Sequence, residues 1–364
     1  MRAASRLDSS RCLLASLYEF RGMRRESLDA ARTSARATSE TVIVSLAMQG
    51  SLSGWHDRIL AAHERIRSIV RETPLEQASL GAWLKLEHLQ HTGSFKFRGA
   101  SNKISVLTPE QAAAGVITAS NGNHGLAVAA AAEARSIDAE VYVSAQVSPA
   151  KLRRMQDHGA RVRSIGDNPL DAELAARRAA GESGKVFISP YNDADVIAGQ
   201  GTIGVELHRQ LPHMDAVFVA VGGGGLIGGI GAYLKSVSPQ TEIVGCWPSN
   251  SPVLQQCIQA GRVIDVPERP TVSESTAGGL EPESITLELC KNVIDRSVLV
   301  SETEILAAMR LILETEHWLI EGAAAVAVAA FLKGAHSYAG KPSVIILCGR
   351  NISSAVLTRL QDVV

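Results

Sequence analysis

Three features of the sequence predict an α/β fold built on parallel sheets. Short, mostly apolar runs such as GVITAS, EVYVSA, AVFVAV and SVIILC alternate with segments of helical periodicity through most of the chain. The runs are continuously apolar rather than alternating, as expected of strands covered by helices on both faces. Glycine-rich or polar clusters recur where a strand gives way to a helix. At 364 residues the chain is long enough for about two domains.

Residues 1 to 48 stand apart. They carry Arg2, Arg6, Arg11, Arg21, Arg24, Arg25, Arg32 and Arg36 among serines and alanines and lack the apolar centre of a secretory signal. A disordered or spurious extension without function is expected there, with Met48 as an alternative start. From Trp55, HDRILAAHERIRSIVRE places Ile59, Leu60, Ile66 and Val70 on one helical face, and Thr73-Pro74 ends it. A strand, WLKLEHL, precedes GSFKFRGA. Strand and helix then alternate: GVITAS and HGLAVAAAAEAR, EVYVSA and PAKLRRMQDHG, RVRSIG and an alanine-rich helix, then VFISP. AVFVAVGGGG leads into LIGGIGAYLKSV and EIVGC, and SVIILCG is the last strand. A smaller domain over residues 112–190 is expected as an insertion in a larger one made of 49–111 and 191–364.

A net charge of −1 and a pI near 6.8 give no whole-chain attraction to nucleic acid or to an anionic membrane, so a small neutral or zwitterionic ligand is expected. Five scattered cysteines form neither a zinc pattern nor a secreted disulfide framework, which places the protein in a reducing cytoplasm. Apolar runs stop short of the roughly twenty residues of a membrane span. His88 and His91, with no third ligand nearby, read as solvated side chains rather than a metal site.

Three motifs carry chemistry. VGGGGLIGG, from Val221, sets four glycines between a strand and a helix, where backbone amides and the helix dipole favour an anion, phosphate above all. It is neither a Walker loop nor a dinucleotide fingerprint. ASNGNHG, from Ala119, occupies a second strand-to-helix junction and offers donors suited to a carboxylate or a phenolic oxygen. In GSFKFRGA, Lys96 lies between two phenylalanines. A desolvated lysine has a lowered pKa, and its neutral amine can form a Schiff base with an aldehyde. Such a lysine, a phosphate cup and an aromatic neighbour are what pyridoxal phosphate requires.

In this order the motifs resemble those of the fold type II pyridoxal-phosphate enzymes, and among them the serine/threonine dehydratase and serine racemase group. KLEHLQHTGSFKFRGA is similar to that group's lysine signature, ASNGNHG to its S-x-G-N-H-G loop and VGGGGLIGG to its tetraglycine cup. The resemblance runs from about Trp55 to the end. It implies two parallel-sheet α/β domains with the cofactor in the cleft, Lys96 as the Schiff-base lysine, and Phe95 against the ring. Asn123 would face the phenolic oxygen; Ser120, Asn121, Gly122 and His124 would hold the substrate carboxylate. Gly222, Gly223, Gly224, Gly225 and Leu226 would cradle the phosphate, and Cys348 would face the pyridine nitrogen. The implied reaction is α,β-elimination on a 2-amino-3-hydroxy acid such as L-threonine or L-serine, giving a 2-oxo acid and ammonia, in a homo-oligomer (dimer or tetramer).

Several positions depart from the group's pattern. Asn121 stands where racemases carry a serine base, so racemisation should be weak. Trp247 stands where metal-activated members carry an acidic residue, and no metal is expected. Ala277-Gly278-Gly279 and Gly349-Arg350-Asn351 replace the group's ADG and GGN stretches, and Arg350 could face an acidic or longer substrate. GGLEPES and CGRN are similar to dehydratases of hydroxyectoine breakdown, an alternative substrate class. A β-replacement synthase or a racemase are further alternatives on the same fold.

Overall fold

The computed structural model describes residues 52–361, so the expectation for residues 1 to 48 lies outside the described residues. The chain begins with α1 (Leu52–Ile66), which buries Trp55, Ile59, Ala62 and Ile66. α1 ends at Ile66, short of Thr73-Pro74. β1 (Leu75–Gln77) and β2 (Trp83–Lys85) follow, and then α2 (Lys96–Ser105) and α3 (Pro109–Ala114). WLKLEHL is strand only for its first three residues; Glu87–Leu89 turns into a 3-10 helix. Lys85 and Glu87, on either side of this change, both enter buried ion pairs.

The next units alternate as expected: β3 (Val116–Ala119), α4 (Asn123–Glu133), β4 (Ala139–Val143), α5 (Pro149–Asp157), β5 (Arg161–Ser164), α6 (Pro169–Ser183) and β6 (Val186–Phe187). Thr108, Ser148 and Asn168 cap their helices through side-chain oxygens, each followed by proline at the first helical position. The rest comprises α7 (Ala194–Gln210), β7 (Ala216–Ala220), α8 (Gly225–Val237), β8 (Glu242–Pro248), α9 (Val253–Ala260), α10 (Ile285–Val293), β9 (Arg296–Val300), α11 (Glu302–Thr315), α12 (Gly322–Gly334), β10 (Ser343–Ile346) and α13 (Ser354–Gln361).

Two sheets result. Six strands run in the order β1-β2-β10-β7-β8-β9, all parallel except the edge strand β1; four parallel strands run β5-β4-β3-β6. β4 and β7 are buried along their whole length, and β7 is accordingly apolar throughout. The larger sheet has its own core around Phe218, Ile227, Trp247 and Ile345. The smaller sheet's core takes in Phe97, Ala100 and Ile104 of α2. No described helix is long and apolar enough to cross a membrane.

The charged residues of the lysine signature form a buried lattice beneath α2. Arg98 binds Glu87 at 2.8 Å and Glu206 at 2.6 Å, and Lys85 binds Glu206 at 2.6 Å, all four essentially inaccessible. Two cations and two anions balance, and Thr73, Thr202 and Gln210 take further hydrogen bonds. Burial works against the Arg98 charge, but Glu87 and Glu206 more than offset it and raise its pKa.

Candidate active site

The segment before Lys96 is tied to the end of β10. Phe95 N–H donates to the Cys348 carbonyl at 3.0 Å, Arg350 N–H donates to the Gly93 carbonyl at 2.9 Å, and Ser94 bridges Gly349. Lys96 is thereby delivered as the first residue of α2, at the carboxyl end of the larger sheet, the usual place for a ligand in such folds. Its Nζ donates to the Pro190 carbonyl at 2.7 Å and lies 5.2 Å from the Phe95 ring centroid. Burial pushes the Lys96 pKa down to about 8, against the opposing pull of Cys348 and Glu321. The helix N-terminus also disfavours a cation there. An amine so tuned is nucleophilic near neutral pH.

Opposite lies the glycine loop. β7 ends its ladder when Val221 N–H pairs with the Cys246 carbonyl at 2.9 Å. Beyond it, the amides of Gly222, Gly223, Gly224, Gly225 and Leu226 have no acceptor among the described residues. Gly224 adopts φ +87°, a conformation glycine takes without strain, and α8 starts at Gly225. A methyl group on Gly223 would lie 2.3 Å from the Tyr191 ring, so only glycine fits beneath it. Unpaired amides converging on a helix N-terminus suit a phosphate.

Asn123, the first residue of α4, donates to both oxygens of Glu321 at 2.8 and 3.0 Å and accepts from Asn351 Nδ2 at 2.6 Å. Glu321 is buried, which raises its carboxyl pKa, while Asn123, Ser275 and the Asn351 amide favour its charge. Burial also raises the Cys348 thiol well above the usual range, so it is neutral.

Phe95, Lys96, Asn123, the five residues from Gly222 to Leu226 and Cys348 therefore line one pocket enclosing about 480 Å³, part of it open to solvent. The sequence reading missed Tyr191, Ser275, Thr276 and Glu321 on the same wall. Glu321 had one legible signal, a carboxylate opening the otherwise apolar segment EGAAAVAVAA. An amine of lowered pKa, an aromatic ring beside it, a cup of free amides and a neutral thiol fit the parts of pyridoxal phosphate.

Apart from Asn123, the ASNGNHG loop lies beside this pocket rather than in its lining. Ser120 Oγ accepts from Gly122 N–H at 3.2 Å, and the Asn121 amide exchanges hydrogen bonds with Ser144 at 2.7 and 2.8 Å. His124 is buried: its Nε2 donates to the Ile188 carbonyl at 3.1 Å, which leaves Nδ1 an acceptor without a partner. Burial and then Lys96 push its pKa down to about 3. A neutral ring with only an acceptor free does not attract a carboxylate, so a carboxylate at His124 would meet its backbone.

His88 corrects an expectation. It is 1% exposed, not solvated, with its ring edge-on to Trp318 at a centroid distance of 5.0 Å. His91 is exposed. Arg350 is also exposed and does not line the pocket. Among the described residues no group of three or more histidine, cysteine or acidic side chains could hold a metal ion.

Comparison with known proteins agrees with this geometry. Residues 66–349 match the family model described as pyridoxal-phosphate dependent enzyme. The chain is 38% identical over 309 residues to an L-threonine ammonia-lyase of Thermotoga maritima, covering 83% of this chain and 77% of that one. Among solved structures it resembles the processed form of threonine deaminase isoform 2 from Solanum lycopersicum, with a TM-score of 0.81 and 32% identity over 86% of this chain and 93% of that one. It also resembles maize serine racemase, with a TM-score of 0.78 and 30% identity over 84% and 96% of the two chains. The chain thus belongs to the fold type II pyridoxal-phosphate-dependent enzymes, in the lyase group of the serine/threonine dehydratases.

Proposed function

We propose that this enzyme is an ammonia-lyase that acts on a 2-amino-3-hydroxy acid, L-threonine before L-serine, and releases a 2-oxo acid and ammonia. The observation that carries this reading is the meeting of the Lys96 amine with the free amides of residues 222–226 in one pocket. The threonine-directed relatives favour the substrate.

Pyridoxal phosphate, when bound, would supply an electron sink for the substrate's α-carbon. The amides from Gly222 to Leu226 would hold its phosphate, Phe95 would lie against its ring, Asn123 would turn from Glu321 to its phenolic oxygen, and Cys348 would meet its ring nitrogen. A neutral thiol gives that nitrogen a hydrogen bond but no anion to stabilise a proton on it. Lys96 is acid and base: neutral Nζ takes the α-proton, and the ammonium so formed donates to the β-hydroxyl, which leaves as water. The substrate carboxylate would rest on the loop from Ser120 to His124. Asn121, held by Ser144, offers no base on the opposite side, so racemisation is slow. The smaller sheet, within residues 112–190, would close over the bound substrate.

The test is the absorbance of the purified protein with pyridoxal phosphate, followed by mixing with L-threonine, L-serine and 3-hydroxy-aspartate. A band at about 410 nm that is lost in Lys96→Ala, together with 2-oxo acid from L-threonine, is expected. The band without 2-oxo acid from any of the three would redirect the substrate to a hydroxyectoine-derived compound. No band at all would overturn the role of Lys96.

A further inference from the structure

The glycine loop is held from behind by two side chains of α10 that do not line the pocket. Thr286 Oγ1 donates to the Gly223 carbonyl at 2.7 Å, and Cys290 Sγ donates to the Gly224 carbonyl at 3.4 Å. Ser284 Oγ stands 2.8 Å from Thr286 Oγ1. Since the Thr286 hydrogen is given to Gly223, the hydrogen between the two hydroxyls comes from Ser284. A directed chain results: Ser284 to Thr286 to the Gly223 carbonyl.

A trans peptide is planar, and its C=O and N–H point in opposite directions. Fixing the Gly223 carbonyl toward α10 therefore aims the Gly224 N–H at the opposite side, where Gly223 and Gly224 face the pocket. Fixing the Gly224 carbonyl in the same way aims the Gly225 N–H. Four glycines have little conformational preference of their own; the Gly224 carbonyl is also held by Gly228 N–H at 2.8 Å as α8 begins, whereas among the described residues the Gly223 carbonyl accepts from Thr286, so that peptide's orientation rests on the external tether. A hydroxyl chain ending on a carbonyl also polarises that peptide and strengthens its N–H as a donor.

We propose that Thr286, seconded by Ser284 and Cys290, is a positioning residue for the phosphate of the cofactor: it orients the amides of the cup without touching the ligand. This rests on the assignment of residues 222–226 to the phosphate. The part played by Thr286 is non-covalent: it makes and breaks no covalent bond.

The experiment measures affinity of the apo-protein for pyridoxal phosphate and for pyridoxal, which lacks the phosphate, in the native sequence, Thr286→Val, Thr286→Ser and Ser284→Ala. Thr286→Val should bind pyridoxal phosphate about tenfold more weakly with pyridoxal unchanged, the loss expected for one well-placed hydrogen bond. Thr286→Ser should restore the native value, and Ser284→Ala should show a smaller loss confined to the phosphorylated ligand. If Thr286→Val does not fold, a phosphate-selective loss in Ser284→Ala supports the proposal and its absence overturns it. Equal weakening of both ligands, or none of either, overturns the role of Thr286. A native protein that does not prefer pyridoxal phosphate to pyridoxal would instead overturn the cup itself.

Discussion

At the scale of single residues, the site depends on what burial does to titratable groups. With a pKa lowered to about 8, Lys96 gains its reactive neutral form as pH rises through that value. The rate at which apo-protein takes up pyridoxal phosphate should therefore climb between about pH 7 and 9 and level off above, whereas an ordinary lysine would keep climbing past about pH 10. Stopped-flow absorbance reads the difference. Gly349 makes a second case. A Cβ there would lie 2.7 to 3.0 Å from the Glu321 carboxyl atoms, so Gly349→Ala must displace the carboxylate that Asn123 and Asn351 share. A loss of about 1–3 kcal/mol in urea unfolding is expected, the usual cost of overpacking. The motif glycines and Lys96 were readable because few residue types serve those tasks. His88 was misread because a histidine's exposure depends on its partner, and Trp318 is 230 residues away.

At the scale of elements, α2 carries two tasks on one short helix. Lys96 opens it, and Arg98, two residues on, locks it onto the 3-10 turn at Glu87 and onto α7 through Glu206. A change at Arg98 would leave Glu87 buried without a cation and Glu206 with Lys85 alone. Arg98→Met should cost about 3–5 kcal/mol in chemical unfolding, and the protein that remains folded should hold Lys96 less firmly. Strand and helix alternation from β3 to α8 was legible because most of the strands are apolar runs bounded by a glycine, proline or capping residue, RVRS of β5 being the exception. β1, a three-residue edge strand with no buried residue, and β9, whose sequence RSVLV is largely exposed, had no such pattern.

At the scale of the whole molecule, two histidines held neutral in the fold set its behaviour in acid. Burial depresses the pKa of His88 to about 4, and burial and then Lys96 depress that of His124 to about 3, while the unfolded chain takes up these protons near 6.5. Between those values the unfolded state binds more protons, so stability is lost as pH falls, by up to about 1.4 kcal/mol per pH unit for each histidine. Urea midpoints measured from pH 7 to 4 should fall steadily, and His88→Phe should flatten part of that slope. A slope unchanged by the substitution would remove His88 as its source.

The sequence by itself determined the α/β class, the three motifs and their chemistry, because a helix or strand period and a run of glycines are local and each narrows the backbone to few conformations. It did not separate the working lysine from the supporting charges in the same signature: Lys85, Glu87 and Arg98 turned out to be a buried lattice joined to Glu206, more than a hundred residues on. Nor did it reveal that Tyr191 and Glu321 close the walls of the pocket, or that Thr286 tethers the cup. Those relations exist only once the two sheets and α10 are brought together, since a hydrogen bond or ion pair between distant segments leaves no period in the chain that forms it.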